Sequence, residues 1–489
     1  MSNVLTDRSR RAGRLRLFVA LAVLAVVPTV ALIALSRWAT DRVEAAEPVP
    51  AQQVTPGPAT ATPLLSARRV PQSVHDGVAR QALVAALAPF AQGVGPEGCF
   101  TTAVDGVEIV DAAGARAVLP ASNTKLVTAA VALEVLGADH RFTTTAKVTG
   151  RDGGTAETLY LVGGGDPVLG TQEYLAASAA QDTYPQPLVT PLESLADQIV
   201  ASGITHVTGG IVGDGSRYDG EEVVPTWPES YIAERQSAPL SALLVNDGSA
   251  QLSPLQSTAE PVTHAAGVLH DLLEARGVTV EGGVSAGVAP ADVPDIAAVQ
   301  SATLAELMPD LLAWSDNTTA ELLVKEIAVA TGTVPGTRPA GLAAIDATLR
   351  SWGVPLEGVV LTDGSGLDRG NRLTCDALGA VLARSGPDGP LAAGLSVAGQ
   401  SGTLAGYFVG NEAQGRLAGK TGTLTGARAL SGFVAAADGT RHVAFNYVEN
   451  GDGARPYAES RWGELGRILT TYPQAPAVDQ LAPLPATTG

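Results

Sequence analysis

The sequence predicts an α/β (α+β) domain split along the chain by a large β-rich insertion. Three observations carry this expectation. Helical and strand patterns alternate on both sides of residues 141–299. Inside that block, short β-like runs (FTTTAKVTG, ETLYLVGGGDP, VTGGIVGDGS) are broken by glycine turns, with few helical stretches. Near the end, residues 429–437 and 441–448 alternate around Asp438-Gly439, a tight-hairpin dipeptide.

Taken in order, the chain opens on a basic segment, 1–16, with Arg8, Arg10, Arg11, Arg14 and Arg16. Residues 17–35 carry no charge and are long enough to span a bilayer. Arginines that stay in the cytoplasm send the rest of the chain outward. The expected location is the cell membrane, with the folded part of the chain extracytoplasmic. If the segment is a signal cleaved near Val43–Ala46, the protein is secreted. Residues 36–72, rich in Pro, Ala and Thr, read as a linker, and residues 473–489 as a disordered tail.

Between these ends, residues 78–92 suggest a helix. Cys99 to Val110 alternates as a strand pair about Asp105-Gly106. Residues 123–136 form a helix apolar nearly all round, hence buried, stopped by Gly137. Further helices are expected at 190–202, 262–276, 303–313 and 318–331, and no internal repeat occurs. The split domain is therefore assigned to 73–140 plus 300–472, and the insertion to 141–299.

Composition narrows the function. With Lys+Arg at 31 against Asp+Glu at 49, a net charge of −18 argues against a nucleic-acid partner. The six histidines form no metal-ligand pair such as H-E-x-x-H, so neither metal nor cofactor is expected. The two cysteines, Cys99 and Cys375, lie in the exported part; whether they pair stays open.

The chemistry-bearing residues are few. Lysine is scarce in this chain, occurring at Lys125, Lys147, Lys325 and Lys420. A lysine where arginine is otherwise preferred marks a place that needs an amine able to lose its proton. Three short motifs follow in order: Ser122-Asn123-Thr124-Lys125, then Ser315-Asp316-Asn317, then Lys420-Thr421-Gly422. Three residues apart on a helix, the Lys125 amine can reach the Ser122 hydroxyl. A partly desolvated amine beside a second cation, here Lys420, has a lowered pKa and can act as base. Ser315 is the candidate relay to the leaving amine. Asn317 is the candidate holder of Lys125 and of a substrate amide. Gly422 should let a peptide approach an edge strand, and backbone N–H groups of Ser122 and Thr423 should form an oxyanion hole. Each motif alone is an ordinary turn, cap or loop; the ordered set is not.

With these motifs the chain resembles the class C, low-molecular-mass penicillin-binding proteins, the D-alanyl-D-alanine carboxypeptidase/endopeptidases typified by penicillin-binding protein 4. The resemblance runs from about residue 75 to 470. It includes Leu161–Pro167, Gly210–Asp214, Ser241–Asp247, Asp363–Arg369 and Ser401–Leu404. Asp368 and Tyr407 depart from it, standing where serine and, nearby, arginine are common. The resemblance implies a serine β-lactamase/DD-peptidase-like transpeptidase domain. It implies that Ser122 attacks the bond between two D-alanines of a peptidoglycan stem peptide, forming an acyl-enzyme. It also implies that β-lactam antibiotics acylate Ser122, and that Thr421 and Thr423, with Lys420, hold the terminal carboxylate. Asp166 and Arg369 are candidates for a diaminopimelate side chain, against an Asx-type turn for the first and a structural ion pair for the second. The rivals are a β-lactamase, for which no deacylating carboxylate is evident, a Ser-His-Asp esterase, and a low-turnover wall-binding or β-lactam-sensing protein.

Overall fold

The computed structural model describes residues 26, 30–38, 72–180, 187–439 and 441–474. The chain divides into two units, Met1–Ser66 and Ala67–Gly489. In the first, residues 30–38 are helical, with Leu32 and Leu35 exposed. The rest of segment 17–35 apart from Val26, the basic segment 1–16, most of the linker and the tail beyond residue 474 lie outside the described residues. Among the described residues, no helix is long and apolar enough to cross a membrane.

The second unit begins with α1 (Gln72–Gln92), then the hairpin β1 (Cys99–Val104) and β2 (Val107–Ala112), then α2 (Thr124–Leu136). Asp105 and Gly106 both have positive φ, as a two-residue hairpin turn with right-handed strand twist requires. In α1, Ala79, Leu83, Leu87 and Phe90 are buried, a helical stripe laid on the sheet. Every residue of α2 from Thr124 to Ala132 is buried, as its unbroken apolar pattern predicts, and Gly137 (φ 90°) ends it.

Residues 143–300 build a separate sheet from β3 (Thr143–Thr149), β4 (Thr158–Val162), β5 (Ile211–Asp214), β6 (Val284–Ala286) and β7 (Asp295–Gln300). Its order is β6-β5-β4-β3-β7. The pairs β4–β5 and β5–β6 are parallel, joined through α3 (Leu192–Ala201) and α4 (Pro261–Glu274). The insertion is thus α/β rather than simply β-rich. Parallel strands need a crossover, and the amphipathic faces of α3 and α4 supply it. Leu195, Ile199, Leu269 and Leu273 join Leu159, Leu161 and Ile211 in a core of its own.

The chain returns through α5 (Leu304–Leu312), α6 (Asn317–Ala330), α7 (Arg338–Ser351) and α8 (Cys375–Ser385). It then adds β8 (Ser396–Val397), β9 (Leu417–Leu424), β10 (Ala427–Ala435), β11 (His442–Asn450) and α9 (Ala454–Leu469). An antiparallel sheet of order β8-β9-β10-β11-β1-β2 results, so the two ends of the sequence share one sheet. Its strands alternate between two cores. Cys99, Ala429, Phe433 and Val448 face the core of α2, α5, α6 and α8; Phe100, Leu430, Val434, Phe445 and Tyr447 face α1 and α9. Cys99 and Cys375 form a disulfide with Cα atoms 6.0 Å apart, tying β1 to the start of α8.

Candidate active site

The site is assembled where α2, α6 and β9 meet. Ser122 lies in one 3₁₀ turn, Ala121–Asn123, that runs directly into α2. Ala121 before it has φ 47°, a left-handed backbone that costs a non-glycine residue about 1–2 kcal/mol. Two glycines hold that turn. A Cβ on Gly366 would sit 2.0 Å from the Ala121 carbonyl, and one on Gly422 would sit 2.6 Å from the Pro120 carbonyl. The glycine of the Lys420-Thr421-Gly422 motif therefore makes room for the turn that carries Ser122. Gly422 thus has a packing role against Pro120 in addition to its expected place on the strand edge.

Lys125 is wholly buried. Its Nζ donates to Ser122 Oγ (3.2 Å), Asn317 Oδ1 (2.5 Å) and the Ser365 carbonyl (2.6 Å). Burial lowers the amine to about 8, against the charges of Asp363, Asp316 and Glu321, which raise it. Lys420 is also buried, with its Nζ on the Thr421 carbonyl at 2.8 Å. Burial pushes it well below its ordinary value, as do the charges of Lys125 and Arg428. Of the two causes expected for a lowered Lys125, burial and a neighbouring cation, burial is the larger. Burial lowers Lys125 and the nearby carboxylates oppose that, while the repulsion between Lys125 and Lys420 disfavours charging both at once.

The loop 363–371 supports Lys125 from the other side. Glu321 Oε1 accepts from the backbone N–H groups of Gly364 (3.0 Å) and Ser365 (2.7 Å), and burial beside Asp363 pushes this carboxyl up to about 8. Asp363 accepts from Gly366 N, Asp368 N, Asn371 Nδ2 and Trp227 Nε1. Sequence reasoning missed Glu321 and Asp363. The available signal was Glu321 itself, an acid one turn after Asn317 on an otherwise apolar helix face.

A cavity of about 460 Å³ opens over Ser122 and is lined by Ser315, Asn317, Thr403, Thr421 and Thr423. Its other walls include Tyr231, Glu234 and Gln236, so the insertion does reach the cleft. Ser315 has φ 65°, a second strained residue at the site. Asn317 Nδ2 donates to the Gln236 carbonyl at 2.6 Å, so this end faces the insertion rather than open cleft. Thr421 Oγ1 donates to Thr403 Oγ1 at 2.8 Å. Thr423 Oγ1 accepts from Arg428, which lies 4.4 Å over the Trp462 ring and pairs with Glu459. Beyond Gly419, β9 has β10 on one side only, because β8 pairs just with Ala418 and Gly419. This leaves the edge along Lys420–Leu424 that the motif predicted.

Asp166 does not line this cleft. It is buried, Oδ1 accepts from Val168 N at 2.9 Å, and burial raises its pKa to about 6. The Asx-type turn is what the structure contains, and the side-chain-binding role is corrected. Arg369 is exposed and donates to the Thr425 carbonyl at 2.8 Å, just past β9.

A serine and a buried lysine on one helix start, beside an open strand edge, define a serine acyl-transfer hydrolase of the penicillin-recognising kind. A model of the D-Ala-D-Ala carboxypeptidase 3 (S13) family matches residues 96–260 and 249–463, and the chain belongs to that family. It is a serine-type D-Ala-D-Ala carboxypeptidase. It is 33% identical to a D-alanyl-D-alanine carboxypeptidase of Actinomadura sp., over 73% of this chain and 79% of the relative. It is 35% identical to carboxypeptidase DacB of Mycolicibacterium smegmatis, over 89% and 93%. Penicillin-binding protein 4 of Haemophilus influenzae shares the fold at TM-score 0.63 and 20% identity, covering 78% of this chain and 97% of that one. The Haemophilus influenzae protein has also been solved in complex with a β-lactam, at TM-score 0.58 and 19% identity over the same shares.

Proposed function

We propose that Ser122 is the nucleophile of this carboxypeptidase and Lys125 its base. The observation that carries the reading is the 3.2 Å contact from Lys125 Nζ to Ser122 Oγ, made by an amine that burial brings to about 8. Near that pH a large fraction of the amine is neutral and can take the serine proton. Ser122 Oγ then attacks the carbonyl of the penultimate D-alanine of a peptidoglycan stem peptide. The backbone N–H groups of Ser122 and Thr423 receive the developing oxyanion. Ser315, on the same cavity wall, passes the proton to the leaving D-alanine amine. Thr421 and Thr423, backed by Lys420 and Arg428, hold the terminal carboxylate. Water then frees the acyl group.

The same path opens the β-lactam ring and leaves a slow acyl-enzyme. The β-lactam complex of the Haemophilus influenzae protein supports this extension. Cleavage of cross-links by the same site is part of the proposal. So is an extracytoplasmic location, with the 17–35 segment as membrane anchor, which the Cys99–Cys375 disulfide supports. The test is labelling with fluorescent penicillin, wild type beside Ser122→Ala, followed by D-alanine release from a stem peptide. Label on wild type alone, with release, is expected. Equal labelling of Ser122→Ala removes Ser122 from its role.

A further inference from the structure

Two residues of the insertion are folded into an unusual ring with the start of α6. Arg235 (φ 55°) and Asp247 (φ 48°) both have left-handed backbones. Their side chains pair, Arg235 Nη2 to Asp247 Oδ2 at 3.3 Å, while Arg235 Nη1 donates to Ser249 Oγ at 2.9 Å. Asp247 Oδ1 accepts from Thr318 Oγ1 at 3.1 Å, and Thr318 Oγ1 accepts from Ala238 N at 3.0 Å. Between Arg235 and Ala238 lies Gln236, whose carbonyl receives Asn317 Nδ2 at 2.6 Å. The ring closes on itself, because Asn317 and Thr318 are neighbours on α6.

We infer that Asp247 is a positioning residue for catalysis: through Arg235 and Thr318 it fixes the Gln236 carbonyl against Asn317, and so points Asn317 Oδ1 at Lys125. An amide has two ends of similar shape and opposite polarity. Turned over, Asn317 would present its NH₂ group to the Lys125 amine, donor against donor. An acceptor on the far side holds the NH₂ end and so reinforces the observed orientation, and the Gln236 carbonyl is that acceptor. Gln236 belongs to the insertion, so the Ser315-Asp316-Asn317 motif is completed by a segment far from it in sequence. This gives the insertion a role in the reaction beyond shaping the cleft.

The inference rests on Lys125 serving as the base of Ser122. Asp247→Gly removes the carboxylate without straining a left-handed backbone, and Asp247→Asn keeps an oxygen for Thr318. D-alanine release is measured against pH for both. Asp247→Gly is expected to lower kcat at least fivefold while KM stays within twofold. Its acid limb should also move to lower pH, because the bond to Asn317 Oδ1 favours the charged amine and its loss favours the neutral one. Asp247→Asn, which keeps the Thr318 bond and loses the Arg235 pair, is expected to fall only about two- to threefold. Unchanged kcat in Asp247→Gly overturns the inference. So does a loss that Asp247→Asn fails to rescue and that leaves the acid limb in place. If Asp247→Gly does not fold, Thr318→Val, which cuts the same ring, is judged by the same two readouts. Retained activity in Lys125→Arg would overturn the base assignment instead, which separates the two failures.

Discussion

Gly422 lies so close to Pro120 that a methyl group on it would meet the Pro120 carbonyl at 2.6 Å and the Ala121 Cβ at 3.3 Å. β9 and the Ser122 turn are thereby set at one spacing, and that spacing decides where Ser122 Oγ stands relative to the strand edge. Gly422→Ala should push the two apart. The expected cost is about 1–3 kcal/mol of stability, the usual range for overpacking. Acylation should fall at least about tenfold, equivalent to about 1.4 kcal/mol of barrier. Thermal unfolding and penicillin acylation rates, measured on the same preparation, check both; unchanged acylation would count against the close approach as a determinant of the site.

Lys125→Arg keeps a positive charge and loses the base. A guanidinium does not give up its proton in a protein. Loss of a general base typically costs about 10²–10⁴ in rate, and acylation by penicillin should fall within that span. In wild type the amine at about 8 sets the direction of the pH dependence. Below that value the neutral fraction, and with it the acylation rate, should rise about tenfold per pH unit; above it the rate should level off. A stopped-flow pH series is the check. A rate that falls between pH 6 and pH 8 would contradict the assignment.

The Cys99–Cys375 bridge joins residues 276 apart in sequence, and both cysteines are fully buried. Replacing both with serine should destabilise the protein by about 2–5 kcal/mol, the usual range for losing a native disulfide. The site residues are not touched by that change. The double variant should therefore unfold several degrees earlier while the folded fraction acylates normally, which scanning calorimetry and penicillin labelling at low temperature would separate.

The residues that the fold brings together at the candidate site were legible where each sits in a local pattern with a local reason. Ser122 and Lys125 occupy one helix start, Asp316 caps α6 through Thr319 N at 2.5 Å, and Asp438-Gly439 turns the hairpin of β10 and β11. What was not legible depends on residues brought together from far apart. Nothing near Gly422 in sequence announces Pro120. The sequence offers no reason for Gln236 to meet Asn317, or for Arg428 to reach Thr423. Asp166 illustrates the same limit from the opposite side: its motif attracted a binding role, but the fold turns its carboxylate inward onto Val168 N. Helices α7, α8 and α9 were also missed. The apolar stripe of α7 is thin, with Ile345 and Leu349 among its few buried positions, so tertiary packing rather than pattern makes it helical.

Trp227 of the insertion donates its indole Nε1–H to Asp363 Oδ2 at 2.9 Å, while its ring packs against Val224 and Leu367. Asp363 in turn holds the loop whose Ser365 carbonyl receives Lys125. Trp227→Phe keeps most of the apolar contact and removes the one donor. Asp363 would retain Gly366 N, Asp368 N and Asn371 Nδ2, so the loop should loosen rather than collapse. A lost hydrogen bond to a buried charged group costs about 1.5–3 kcal/mol. Part of that should appear as a lower unfolding temperature, and part as a several-fold slower acylation, because the Ser365 carbonyl is no longer held against Lys125. Trp227→Ala, which also empties the space beside Leu367, should lose more of both. A Trp227→Phe variant that matches wild type in stability and in acylation would show that Asp363 keeps the loop in place without help from the insertion.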